Sequence, residues 1–233
     1  MRQSASQKPP AGDLDGFPAS RVGEGVTLYR STTPDHGPGF FSSDGGGRFD
    51  LESPDGTLYA ARSVHTAVME RIAPPVDVML SDGRVRAVDG PYLGGGIEES
   101  DARRILIWEM TADRDLAMAD LTNRHAAAFG VTMELSSGGG PDMYSVAQKW
   151  AAAFRAEGLN GIEYSSRFTS STAAADNAIA VFSAAGPGNG PFIFGLTPST
   201  LVESAAVAGI TIRRSQSSPP PPAKDSLDSS RKS

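Results

Sequence analysis

The sequence predicts an α+β fold built on a mixed or antiparallel sheet. Three observations carry that reading. Short apolar runs rich in Val, Ile, Tyr and Phe alternate with turn clusters, only two segments show a clear helical period, and helices do not separate the strands regularly, as a doubly wound parallel sheet requires. Strands are expected over Val26–Tyr29, Thr57–Ala61, Val76–Leu80, Arg104–Met110, Gly161–Tyr164, Ala178–Phe182 and Phe192–Gly195. The stronger helix is Met143–Glu157, where Ala147, Trp150, Ala151 and Phe154 recur at i, i+3, i+4 and i+7 and must face the core. Asp142 can cap its start and Gly158 suits its end. A second helix is expected over Val64–Ile72, with Ser63 as its N-cap and Pro74–Pro75 as its stop. Glu70 sits in its last turn, where the helix dipole disfavours an acid; it is either a solvated surface residue or there for another purpose.

With 233 residues, 39% of them hydrophobic, the chain can bury one substantial core. The composition predicts one domain over residues 21–214 between tails. Residues 1–20 are poor in apolar side chains and are expected to be disordered, as is the Pro- and Ser-rich stretch 215–233. No run approaches the roughly 18–20 apolar residues of a membrane span, and Met1 to Gly16 lacks the basic start and apolar run of a secretory signal, so a cytoplasmic protein is expected. The absence of cysteine excludes disulfides, a thiolate nucleophile and thiolate metal sites. His36, His65 and His125 show no metal-binding spacing, so no metal is expected. A net charge of −6 argues against a nucleic-acid partner.

Familiar catalytic signatures are missing. Gly186–Gly190 alternates glycines but runs into Pro191 with no helical pattern behind it, so no dinucleotide fingerprint is present. None of Lys8, Lys149, Lys224 and Lys232 follows a glycine-rich loop, which removes the phosphate-binding loop of ATPases. No serine lies in a G-x-S-x-G elbow. What remains is a concentration of unusual residues in the first half. Leu28–Tyr29–Arg30 ends an apolar strand in an arginine, and Gly45–Gly46–Gly47 leads into Arg48–Phe49–Asp50. Guanidinium groups match phosphate oxygens and glycines let a backbone approach a ligand, so a pyrophosphate would fit between Arg30 and Arg48; read singly, both are equally ordinary surface or ion-paired arginines. Tyr59 alone reads as core, and Ser165 and Ser166 as the end of a strand.

Taken together and in order, these segments resemble the RES domain, the NAD-degrading toxin family of bacterial toxin–antitoxin pairs. The resemblance runs through Leu28–Tyr29–Arg30, then Gly46–Gly47–Arg48–Phe49 with Asp50 where the family usually has Asn, then Thr57–Leu58–Tyr59, then Thr66–Ala67 and Glu70. It continues through Asp120–Leu121–Thr122, Gln148 with Trp150–Ala151, Gly161–Ile162 with Tyr164, Ser166 and Arg167, and closes on Ala180–Val181–Phe182. Ser166 rather than Ser165 is chosen by counting from Tyr164.

The resemblance implies an ADP-ribosyltransferase-like core in which split mixed and antiparallel sheets with flanking helices clamp NAD+. It implies cleavage of the nicotinamide–ribose bond with water or inorganic phosphate as acceptor, NAD+ as substrate with no further cofactor, and a protein antitoxin as partner. Arg30, Arg48 and Gly47 would hold the pyrophosphate and Tyr59 would pack on the nicotinamide or its ribose. Glu70 would stabilise the developing cation, and Ser166 would position the ribose or nucleophile. Asp50 adds a negative charge near that site and is expected to weaken dinucleotide binding. Two other readings compete. Transfer of ADP-ribose to a protein is disfavoured because Val68 stands two positions before Glu70, where classical transferases often carry an acid. A degenerate, binding-only domain would have lost at least one of these residues.

Overall fold

The computed structural model describes residues 7–214 apart from 36, 73–75, 80–84, 89–95, 138–142, 167 and 170–172. The predicted cap Asp142, the stop Pro74–Pro75, Arg167 and the segment 215–233 therefore lie outside the described residues. In chain order the elements are β1 (Ala19–Val22), β2 (Thr27–Thr32), β3 (Phe40–Phe41), β4 (Asp55–Ala61), α1 (Val64–Ile72), β5 (Val76–Met79), β6 (Val85–Val88), β7 (Ile97–Glu98), α2 (Glu99–Ala102), β8 (Leu106–Ala112) and β9 (Leu116–Asp120). They continue with α3 (Met133–Ser137), α4 (Tyr144–Ala156), β10 (Gly161–Ser165), β11 (Asn177–Ala184), β12 (Gly186–Pro187), β13 (Phe192–Phe194), β14 (Ser199–Thr200), α5 (Leu201–Ala208) and β15 (Ile212–Arg213). The fold is α+β, with a mixed sheet and flanking helices as predicted, and is consistent with an ADP-ribosyltransferase-like core.

Nine strands form a mixed sheet in the order β1-β9-β10-β11-β4-β2-β8-β13, with β14 also on β8. Within it only β9 and β10 run parallel. Its two halves barely touch. Strands β4 and β11 pair over seven residues and β2 and β8 over six, but β2 meets β4 only at Tyr29 and Ala61. The sheet is thus nearly split between β2 and β4, and that seam is where the candidate site opens.

Helix α4 covers one half. Ala147, Trp150, Ala151 and Phe154 are all buried, packed with Phe49, Ile162, Tyr164 and Phe182. Burial of each large side chain contributes about 1.5–3 kcal/mol. The helix ends as expected at Gly158, which takes φ +81°, while the Leu159 amide donates to the Phe154 carbonyl at 3.1 Å. Helix α1 matches its predicted span. The Ser63 hydroxyl accepts the Thr66 amide at 3.2 Å, which caps it, and Val68, Met69 and Ile72 pack on Ile97, Ile105, Ile107, Leu201 and Ala208.

Residues 7–20 depart from the expectation of a disordered tail. The Gln7 side chain accepts the Thr132 amide at 2.8 Å and donates to the Gly130 carbonyl at 3.1 Å. The Trp150 indole donates to the Lys8 carbonyl at 2.8 Å. Leu14 and Phe17 are buried in the α4 core, the Phe17 ring 4.6 Å from that of Phe154, and β1 completes the sheet edge on β9. Two apolar side chains and a hydrogen-bonded backbone suffice to order a segment whose average composition reads as unstructured. Among the described residues no helix is long and apolar enough to cross a membrane, and no group of three or more His, Asp or Glu residues could hold a metal ion.

Candidate active site

A cavity of about 360 Å³ opens at the seam. Strand β2 contributes Arg30, the loop before β4 contributes Gly46, Gly47 and Arg48, β4 contributes Tyr59, and α1 contributes Glu70 and Arg71; Tyr144, Tyr164 and Phe168 close it. Five of the six residues predicted from sequence, Arg30, Gly47, Arg48, Tyr59 and Glu70, therefore line one cavity. The sixth, Ser166, is buried behind Glu70.

The loop is held by hydrogen bonds that leave little freedom. The Gly47 amide donates to Asp50 Oδ2 at 2.8 Å, the Tyr59 hydroxyl donates to Asp50 Oδ1 at 2.9 Å, and the Phe49 amide donates to the Tyr59 oxygen at 2.8 Å. From α4, Gln148 Nε2 donates to the carbonyls of Gly45 at 3.0 Å and Gly47 at 2.9 Å. Residue 47 must be glycine, because a Cβ there would collide with both the Asp50 carboxylate and the Tyr59 hydroxyl. Tyr59 thus serves the loop through its hydroxyl while its ring faces the cavity. Burial and the Asp50 charge beside it push that phenol well above the ordinary tyrosine range.

Asp50 does not line the cavity. Its carboxylate is buried within the loop, where it accepts from Gly47, Tyr59 and, at 3.2 Å, Ser42. Burial raises its pKa, against the hydrogen bonds from Gly47 and Tyr59 that lower it. Asp50 thus organises the loop that carries Arg48.

The cations have distinct surroundings. Arg48 is buried, with its guanidinium carbon 5.5 Å from the ring centroids of both Phe49 and Tyr164. Such stacking orients the fork without consuming its donors. Arg30 is half-buried, and burial together with repulsion from Arg71 lowers its pKa to about 10, so it remains charged near neutral pH. Its Nη1 is buried with no hydrogen-bond partner among the described residues. A half-buried guanidinium with one buried donor unsatisfied and a second cation nearby has the chemistry to accept an anion.

The Ser166 hydroxyl donates to Glu70 Oε1 at 2.5 Å and accepts the Phe168 amide at 3.2 Å; the Tyr164 hydroxyl stands 3.4 Å from Glu70 Oε2. Strand alternation explains the set. Ile162, Tyr164 and Ser166 share a face, whereas Glu163 points the other way into a buried knot with Arg62, Ser20 and Asn177. The arrangement fixes a carboxylate in the same cavity as three arginines. Arg71, the Tyr164 ring and the Gln148 anchor were not singled out as site residues from sequence. Arg71 follows Glu70 on a helix, and Gln148 belongs to a helix read for its apolar face.

The family model described as RES domain matches residues 27–191. Among solved structures, a chain of the crystal structure of the M. tuberculosis MbcT–MbcA toxin–antitoxin complex is similar in fold. The TM-score is 0.52 at 17% identity, with 81% of this chain and 92% of that chain covered. No curated protein matches the sequence.

Proposed function

The chain belongs to the RES-domain family, and from that premise we propose that it is the toxin of a toxin–antitoxin pair and cleaves the nicotinamide–ribose bond of NAD+. One observation carries this reading: a carboxylate, Glu70, fixed by Ser166 in the same cavity as Arg30, Arg48 and Arg71. Two phosphates carry two negative charges, and the arginines neutralise them. The nicotinamide ribose then lies toward Glu70. The C–N bond breaks with its electron pair passing to the pyridinium nitrogen, so nicotinamide leaves neutral and needs no proton. Positive charge develops on the ribose, where the Glu70 carboxylate stabilises it. Ser166 holds Glu70 in place. Water or inorganic phosphate then attacks the anomeric carbon, and water gives up a proton as ADP-ribose forms. NAD+ is substrate, and no cofactor is needed for this chemistry. The place of action is the cytoplasm, and a protein antitoxin that covers the cavity would silence it; the solved complex of similar fold is itself a toxin–antitoxin pair.

Transfer to a protein lacks a supporting observation. Val68, two positions before Glu70, is fully buried in the core and offers no base to an acceptor.

The test is product analysis of NAD+ incubated with purified protein, with and without inorganic phosphate and with total bacterial protein added. Free ADP-ribose identifies water as acceptor, and ADP-ribose 1″-phosphate identifies phosphate. Label on protein without either product would replace this reading with transfer.

Arg48→Ala is expected to raise the apparent KM for NAD+ by about tenfold to a hundredfold. It removes charge-assisted contacts worth about 1.5–3 kcal/mol. Steady-state kinetics checks it, and an unchanged KM would remove Arg48 from the phosphate site.

A further inference from the structure

The glycine loop that carries Arg48 holds two carboxyl groups that the proposed reaction does not use. Asp50 is buried, with the Tyr59 hydroxyl on Oδ1 and the Gly47 amide on Oδ2. Asp44 is exposed, and its Oδ1 accepts the Gly46 amide at 2.8 Å. Between them stands the Ser42 hydroxyl, 2.9 Å from Asp44 Oδ1 and 3.2 Å from Asp50 Oδ2. A hydroxyl has one proton to give, so it satisfies one of the two carboxylates and not both at once. The two carboxyls are also within hydrogen-bond reach of each other. Nothing else packed around Asp50 makes up the missing proton. Tyr59, from β4, already donates to it, and Gln148, from α4, spends its Nε2 on the carbonyls of Gly45 and Gly47. The titratable groups that act on Asp50 are Asp44 and Tyr59, while the Arg48 guanidinium stands over the rings of Phe49 and Tyr164.

We propose that Asp44 and Asp50 share a proton in acid, and that this pair makes the glycine loop, and through Arg48 the affinity for the dinucleotide, dependent on pH. The inference rests on the NAD+ reading above and adds a regulation of that site. A protonated Asp50 presents one acceptor oxygen and one O–H donor, the pattern of an asparagine side chain, and its proton can pass to Asp44 while Oδ1 still accepts from Tyr59. Once both acids are ionised, two negative charges face each other across a single hydroxyl proton, and the loop loosens. The added charge also opposes an anionic ligand. Geometry decides which acid takes the proton: burial favours the neutral form and raises the Asp50 pKa, whereas the Gly46 amide and the Ser42 hydroxyl lower that of the exposed Asp44. The folded loop binds the Asp50 proton more readily than the unfolded chain. Its contribution is therefore present in full below the ordinary aspartate value and is lost as pH rises through the raised native value.

The experiment follows KM for NAD+ between pH 4.5 and pH 8 in wild type, Asp50→Asn and Asp44→Asn, with circular dichroism showing each protein folded at every point. In wild type KM is expected to rise about threefold to tenfold with pH. Asp50→Asn, which fixes the donor and acceptor pattern of the protonated acid, is expected to hold the low value throughout. Asp44→Asn, at an exposed position, removes the like charge and is expected to move the rise to lower pH. A wild-type KM that does not change with pH, or an Asp50→Asn profile parallel to it, would overturn the proposal. A second arm reads the loop without substrate, by following the Gly46 and Gly47 amide resonances by NMR over the same range. In wild type the Gly47 amide is expected to move with a midpoint above the ordinary aspartate value, in Asp44→Asn with a lower midpoint, and in Asp50→Asn not at all. A wild-type midpoint at or below the ordinary value, or one that Asp44→Asn leaves in place, overturns the pair. If wild type cleaves no NAD+ at any pH, the proposed activity fails, and the amide titration still decides the pair.

Discussion

Glu70→Gln is expected to lower kcat for nicotinamide release by about two to three orders of magnitude while the protein stays folded. Removing one preorganised electrostatic group from a developing charge typically costs about 10²–10³ in rate. Glutamine keeps the size of the side chain and can still accept the Ser166 hydroxyl, now 2.5 Å from Oε1, so the change isolates the negative charge. Glu70 is only half-buried at the end of α1, and the packing of that helix rests on Val68, Met69 and Ile72. Far-UV circular dichroism and a thermal melt should therefore match wild type. Ser166→Ala, which removes one hydrogen bond to a charged acceptor, should cost about ten- to a hundredfold. A Glu70→Gln protein with wild-type kcat would remove the carboxylate from the reaction.

The second large effect is on stability. Glu163→Ala is expected to destabilise the fold by about 3 kcal/mol, because it removes a buried carboxylate and leaves the half-buried Arg62 guanidinium and the Ser20 and Asn177 donors without their acceptor. Arg62 donates to both Glu163 carboxylate oxygens at 2.9 Å, and Ser20 at 2.6 Å and Asn177 at 2.9 Å complete the shell. The four residues come from β1, β10, the β4–α1 link and the start of β11, so the knot ties the chain entry to the strand that carries Tyr164. Burial alone would raise the Glu163 pKa, but the hydrogen bonds from Arg62, Ser20 and Asn177 and the Arg62 charge outweigh it, and the carboxyl is held below the ordinary glutamate value. The native state then binds this proton less readily than the unfolded chain. Its contribution is present in full above the ordinary glutamate value and is lost as pH falls through the depressed native value. Urea melts between neutral pH and pH 3 should show wild type losing stability over that acid window and Glu163→Ala losing less. Parallel curves for the two proteins would take Glu163 out of the account.

What the sequence made legible follows from the range of each signal. Helices α1 and α4 could be read because their apolar faces recur every three or four residues, and Ser63 and Gly158 mark ends that local chemistry decides. The lining residues Arg30, Gly47, Arg48, Tyr59 and Glu70 could be named because the segments that carry them together and in order resemble one family, although singly Arg30, Arg48 and Tyr59 read as surface or core residues. Strand β9 could not. Its sequence Leu-Ala-Met-Ala-Asp carries weak strand preference, and pairing with β1 and β10 on its two sides makes it a strand. Helix α5 carried a readable signal that was passed over: Thr200 and Glu203 form a capping box, and Gly209 ends the helix at φ +64°. Glu163 stands in a strand between apolar neighbours, and its partners Arg62, Ser20 and Asn177 come from other segments, so nothing local announced that they would surround it. The role of Asp50 required the fold, because its partners Gly47 and Tyr59 meet it only when the loop closes on β4.

The most direct test of the account is nicotinamide release from NAD+ by the purified full-length protein, free of any antitoxin, with Glu70→Gln as the blank. The account predicts release over many turnovers by wild type and almost none by the variant. A folded wild-type protein that releases no nicotinamide, with or without inorganic phosphate, would contradict it.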